Sequence, residues 1–192
     1  MSCSPQTPTG FVTDSRVRRA LREDLLETLA EPGSCFVDEL ALPHGAGRAD
    51  VAVLGARFHG FEIKGERDTL RRLASQVAVY DSVFDFVTIV TADKHLPDVL
   101  KIVPQWWGVE VAEPLSGGMF FRPIRPHSAN PCVCTAALAQ LLHRDSASRL
   151  AESIGMTSAR TRTRRELHVF LGENASASAL RGAVKSQFRV TR

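Results

Sequence analysis

Cysteine is scarce and scattered, with Cys3, Cys35, Cys132 and Cys134 the only four in 192 residues. Four so placed make no disulfide framework, and a reducing, cytoplasmic setting is expected. No apolar run approaches the ~18–20 residues that cross a bilayer, so no membrane partner is expected. The first ten residues carry neither a basic n-region nor an apolar h-region, so no secretory signal is expected there. Aromatic residues are few, at 7%. The hydrophobic fraction of 44% and charged fraction of 23% are nevertheless ordinary for a globular chain, which excludes disordered, collagen-like and coiled-coil classes. At this length, folding removes roughly 70% of the chain's surface from water, enough for a core without staples.

The net charge of +3 conceals a division. Residues 1–112 hold 12 Lys and Arg against 16 Asp and Glu, a net of −4, whereas residues 113–192 hold 12 against 5, a net of +7. One region concentrates carboxylates and the other is suited to a polyanion.

Apolar spacing predicts a first helix from Asp14 to about Ala30, with Val17, Leu21, Leu25 and Leu29 on one stripe. Three short strands follow, at Cys35–Leu42, Ala49–Leu54 and Arg57–Lys64. Then come a helix over Asp68–Phe84, a buried strand over Asp85–Thr91, a helix over Lys94–Val103 and a strand over Trp107–Ala112. This order describes an α/β fold, a mixed sheet flanked by helices. Four prolines and a Gly-Gly pair mark 113–131 as a connection, with one short strand at Met119–Ile124. Helices are expected over Val133–Ile154, Thr163–Leu171 and Ala177–Phe188, forming a basic C-terminal extension. The division is therefore a flexible start (1–13), a core (14–112), the connection (113–131) and the helical extension (132–192).

The chemistry concentrates in Asp50-Val51-Ala52-Val53-Leu54 and Phe61-Glu62-Ile63-Lys64. Strand side chains two apart share a face, so Glu62 and Lys64 point the same way. A hairpin centred on Ala56 sets Asp50 across from Glu62. Like charges opposite one another destabilise a sheet, by roughly 4 kcal/mol at ~4 Å and an effective dielectric near 20. A divalent cation between the two inverts that sign, and hard oxygen ligands suit Mg²⁺ or Mn²⁺.

Asp50 followed by Glu62-Ile63-Lys64 across a hairpin resembles the PD-(D/E)XK nuclease superfamily, which includes restriction enzymes, resolvases and RecB-type exonucleases. Gln76-Val77-Ala78-Val79-Tyr80 is similar to the QxxxY element of the RecB-like branch. The stretch from Asp38-Glu39-Leu40 to Trp106-Trp107-Gly108-Val109 is similar to an uncharacterised bacterial family within that superfamily. Ala49 stands where the superfamily has its proline, which is not a metal ligand.

The resemblance implies a restriction-endonuclease-like sheet and a metal-dependent nuclease acting on phosphodiester bonds, with DNA as partner. It implies Mg²⁺ or Mn²⁺ held by Asp50, Glu62 and the backbone carbonyl of Ile63. Lys64 would assist the attacking water, and Gln76 and Tyr80 would complete the site beside Arg72. The upstream carboxylate of the superfamily falls to Glu39 in the first strand, with Glu23 and Glu27 on the first helix as competitors. Many members of the superfamily work as dimers.

Arg160, Arg162, Arg164 and Arg165 form the densest basic run and, with Arg72, are the candidates for phosphate contacts. A solvated face is the plainer account of that run. The alternative function is a catalytically silent nuclease-fold module for nucleic-acid binding or assembly, and a third is a partner in a larger defence or mobile-element complex. Trp106-Trp107 reads as core rather than as a base-stacking platform. The H-x₄-C-x-C-x₈-H spacing from His127 to His143 fits no standard zinc site.

Overall fold

The structure is a computed structural model that describes residues 12–28, 33–45, 47–116 and 118–189, with the backbone alone for 26–28 and 44. It is an α/β fold. Helix α1 (Asp14–Thr28) precedes strands β1 (Cys35–Ala41), β2 (Arg48–Leu54) and β3 (Phe58–Lys64). Helix α2 (Leu73–Val83), β4 (Phe86–Thr91), α3 (Leu96–Ile102), β5 (Gly108–Leu115) and β6 (Gly118–Arg125) follow, and then helices α4 (Thr135–Gln140), α5 (Arg144–Ser153), α6 (Arg164–Asn174) and α7 (Ala177–Arg189). The end of the predicted first helix, at residues 29–30, lies outside the described residues.

The six strands form one sheet in chain order. β3, β4 and β5 run parallel, with α2 and α3 as the crossovers that parallel pairing requires; the other neighbours are antiparallel. The β2–β3 hairpin is centred on Ala56, since Leu54 pairs with Phe58 and Val51 with Phe61. Gly60 is required where β3 passes under α2, because a Cβ there would lie 2.6 Å from the Phe84 ring.

Alternation along the central strands divides the core in two. Val51, Val53, Phe61 and Ile63 pack with Val17, Leu21 and Leu25 of α1. On the other face Ala52, Leu54 and Phe58 join Tyr80, Phe84 and Trp107. Trp107 is fully buried and its indole N–H donates to Asp81 at 2.9 Å, so the tryptophan pair is core.

Four expectations shift. α2 begins at Leu73 rather than Asp68, because the Asp68 carboxylate accepts the Gly65 N–H at 2.7 Å and shapes a turn instead of capping the helix. The predicted helix over 133–154 breaks at 141–143, where Gln187 of α7 accepts the His143 N–H and donates to the Leu141 carbonyl. The segment 113–131 is more than a connection, since β5 continues to Leu115, while the strand expected at Met119–Ile124 is present as β6. The C-terminal helices are also built into the main core: Leu138, Leu142, Leu167, Leu171, Leu180 and Val184 belong to the same cluster as Leu54 and Phe58. Among the described residues no helix is long and apolar enough to cross a membrane.

Candidate functional site

The sheet comes apart at Asp50. The β2–β3 ladder ends at Val51–Phe61, one step short of Asp50 and Glu62. On the other side, β1 pairs with β2 at Asp38–Val51 and again at Leu40–Ala49, omitting Glu39 and Asp50. Glu39 is the cause on that side. Its φ of 53° is left-handed, a conformation costly for a non-glycine residue. Period-two alternation along β1 therefore breaks here: Leu40 packs in the same cluster as Val37, three residues earlier.

Freed from regular pairing, Asp50 accepts the Ile63 N–H on Oδ2 at 2.7 Å. Next to it, β3 sends Glu62 and Lys64 to one face, and α2 closes over them with Gln76 and Tyr80, one turn apart. Lys64 Nζ lies 2.6 Å from Glu62 Oε1 and 3.1 Å from Gln76 Oε1. Gln76 Nε2 donates to Glu62 Oε1 at 2.6 Å, and the Tyr80 hydroxyl donates to Glu62 Oε2 at 2.5 Å. Glu62 is 2% exposed, and three side-chain donors, from Lys64, Gln76 and Tyr80, surround its buried carboxylate.

Asp50, Glu62, Lys64 and Gln76 line a polar cleft of about 460 Å³ that also takes in Ile63, Arg72, Ser75, Arg18, Glu39 and Arg48. Ile63 reaches it through its backbone, since its side chain lies in the α1-side core. Burial, and then the charge of Glu62, push the Asp50 carboxyl up to about 7, against the lowering effects of the Ile63 N–H and Arg18. Tyr80 is pushed well above the usual phenol value by burial and by Glu62, so it serves Glu62 as a donor. The cleft thus gathers two adjacent carboxylates, an ammonium and an amide.

Of the sequence candidates, Asp50, Glu62, Ile63, Lys64, Gln76, Arg72 and Glu39 line one cleft, and Tyr80 backs it. Glu23 is exposed on α1 and does not line it, and the Glu27 side chain lies outside the described residues. Glu39 faces Arg18, whose Nη1 lies 2.5 Å away, and among the described residues no group of three or more His, Cys, Asp or Glu side chains is gathered for a metal. Arg18 was not legible as a site residue, although the i,i+4 spacing of Asp14 and Arg18 is a sequence signal for their 3.0 Å pair. His127 stacks edge-on to His59, with ring centroids 4.5 Å apart. Burial and that neighbour push His59 down to about 3.

The sequence pattern of the family described as bacteriophage P4 protein cII matches residues 12–191. The chain belongs to that family. Protein cII of Enterobacteria phage P4 is 32% identical over 99 residues, which is 52% of this chain and 38% of that protein, so the aligned part is well under half of the relative's length. A protein of unknown function from Silicibacter pomeroyi superposes over 81% of this chain and 99% of its own, at 17% identity and a TM-score of 0.43.

The cII-family match spans both the acidic cleft and the basic helices, and the two use their charges differently. Arg181 of α7 is bidentate to Asp85, at 2.8 and 2.5 Å, and Asp85 also accepts the Phe58 N–H. Arg160 pairs with Glu152 at 2.9 Å and Arg162 with Glu166 at 3.2 Å. Arg164 reaches the Gln140 carbonyl at 3.4 Å. Arg165 is exposed and, among the described residues, makes no side-chain hydrogen bond or ion pair; it and Arg164 line a groove of about 770 Å³ between α4, α6 and the turn after β1.

Proposed function

We propose that this cII-family protein is a metal-dependent nuclease that hydrolyses phosphodiester bonds, with DNA as the substrate class its PD-(D/E)XK resemblance suggests. The observation that carries the reading is Asp50, Glu62 and Lys64 lining one cleft where the strands part. Two carboxylates and the Ile63 carbonyl are a donor set for a hard cation that keeps most of its own water, as Mg²⁺ does. The electrostatics fit as well: a carboxyl pushed up to about 7 by burial and a neighbouring carboxylate is relieved by a cation between them. Mg²⁺ or Mn²⁺ there would supply Lewis acidity and a bound water of lowered pKa.

The chain's own residues do the rest. Lys64, Gln76 and Tyr80 fix both oxygens of Glu62, so that carboxylate is held before any ligand arrives. The Lys64 ammonium has three protons; Glu62 and Gln76 take two, and the third is available to a phosphate oxygen or to the attacking water. Arg72 and Arg48, both exposed in the cleft lining, are the cations that would meet backbone phosphates. A homodimer belongs to the proposal, since many members of the superfamily this chain resembles work as dimers, as does a cytoplasmic setting. Kinship with a phage family suits work within a larger defence or mobile-element complex.

The test is incubation with plasmid, linear and single-stranded DNA, and with RNA, in Mg²⁺, Mn²⁺ or EDTA. Cleavage is expected with a divalent ion and not in EDTA. Asp50→Ala and Lys64→Ala, folded by circular dichroism, should remove it; cleavage that survives either variant overturns the site.

A second reading, the catalytically silent nucleic-acid-binding or assembly module, is favoured by Arg18, which supplies Asp50 with a cation from within the chain. That reading predicts tight binding and no cleavage with any divalent ion.

A further inference from the structure

The Arg18 guanidinium touches three carboxylates from three elements. Its Nη2 lies 3.0 Å from Asp14 of α1 and 3.3 Å from Asp50 of β2, and its Nη1 lies 2.5 Å from Glu39 of β1. The side chain is only 19% exposed, unlike an ordinary surface ion pair. It projects from α1 beside Val17, which is anchored in the core, so the helix delivers it to the cleft rather than leaving it to wander. Glu39 meets it from a left-handed backbone, and the missing Glu39–Asp50 pairing opens the gap that the guanidinium enters.

A guanidinium stays charged at every pH a protein survives, so titration cannot remove it. While Asp50 is ionised, another cation, or a competing anion for Arg18 itself, is what takes it off that carboxylate. We propose that Arg18 is a resident counter-cation of the acidic cleft, one that a divalent metal ion must displace from Asp50. The proposal rests on the metal-binding reading above. It adds that metal affinity is held down by a side chain of the protein itself. A phosphate diester arriving at the cleft would accept the released guanidinium, so metal and nucleic acid bind cooperatively through Arg18. Linkage makes this reciprocal: each tightens the other by the same factor.

The test is Mn²⁺ titration, by calorimetry and by electron paramagnetic resonance, of wild type, Arg18→Met and Asp50→Asn. Arg18→Met should bind Mn²⁺ on the order of tenfold more tightly than wild type, and Asp50→Asn should lose the site. Equal or weaker binding by Arg18→Met, with Asp50→Asn still deficient, overturns the Arg18 proposal and leaves the metal site standing. Absence of any Asp50-dependent Mn²⁺ binding in either background overturns both.

The unmutated protein supplies a second readout that does not depend on how the variant folds. In a Mg²⁺ titration followed by nitrogen-15 NMR, the Arg18 guanidinium signals and the Ile63 amide should shift together with one midpoint. An Ile63 amide that shifts while Arg18 stays unmoved would contradict displacement.

Discussion

The acidic cleft and the basic helices carry opposite charge for different purposes. In the cleft, charges are held where they conflict: Asp50 and Glu62 are neighbours, Glu62 is buried, and the sheet gives up ladder pairing on both sides of Asp50. In the helices, charges are mostly reconciled. Arg181 is bound to Asp85, Arg160 and Arg162 to glutamates, and Arg189 to the Gly33 carbonyl. The pairs with Glu152 and Glu166 are already subtracted in the region's net of +7, and Asp85, outside it, takes up one more of its cations. Conflict that the fold tolerates points to a ligand; conflict that it resolves points to stability.

The sharpest way to break that contrast is at Asp85 and Arg181. The pair is 9% and 15% exposed and joins α7 to the β3–β4 region. Removing one partner from such a pair typically costs 3–5 kcal/mol, so Arg181→Ala should lower stability by about 3 kcal/mol in urea unfolding while leaving Mn²⁺ affinity unchanged. A fully stable Arg181→Ala that has lost nucleic-acid affinity would assign this arginine to binding after all.

The cleft should behave in the opposite sense, with its charges working against stability when no metal is present. The folded protein holds the Asp50 proton up to about 7, whereas the unfolded chain releases it near the ordinary 3.8. Between those values the folded state binds the extra proton, so the Asp50 contribution to metal-free stability is fully present below pH ~4 and is lost as pH rises toward 7. Asp50→Asn should flatten the decline and be more stable than wild type at pH 7.5, as read from urea midpoints. A metal-free wild type whose stability rises from pH 4 to 7 through Asp50 would contradict the assignment.

The smallest effect separates one arginine from another within the basic helices. If α6 contacts nucleic acid, Arg165→Ala should weaken binding and reduce the salt slope by about 1. Arg160→Ala, which breaks an exposed ion pair, should change stability by no more than about 1 kcal/mol and leave the slope alone. Equal slopes for both variants would remove α6 from the interface.

Much of this was legible in the sequence because it is local. The hairpin is short, so counting residues from Ala56 gave the register that brings Asp50 toward Glu62, and period-two alternation put Glu62 and Lys64 together. The i,i+4 spacing of Gln76 and Tyr80 needed only a helix beneath it. What escaped is decided by partners distant in the chain. The left-handed turn at Glu39 has no glycine to announce it. Arg18 meets Asp50 across 32 positions, and Arg181 meets Asp85 across 96. The break between α4 and α5 is held by Gln187, 44 residues beyond His143. A basic run likewise reads as a binding patch until its acidic neighbours are placed beside it.

The central claim is that the parted strands around Asp50 hold a divalent cation. Anomalous diffraction from crystals soaked in Mn²⁺ tests it most directly. The account predicts a Mn²⁺ peak between Asp50 and Glu62, with the Arg18 guanidinium withdrawn from Asp50. A cleft without that peak at saturating Mn²⁺, and with Arg18 still bridging Asp14, Glu39 and Asp50, would contradict it.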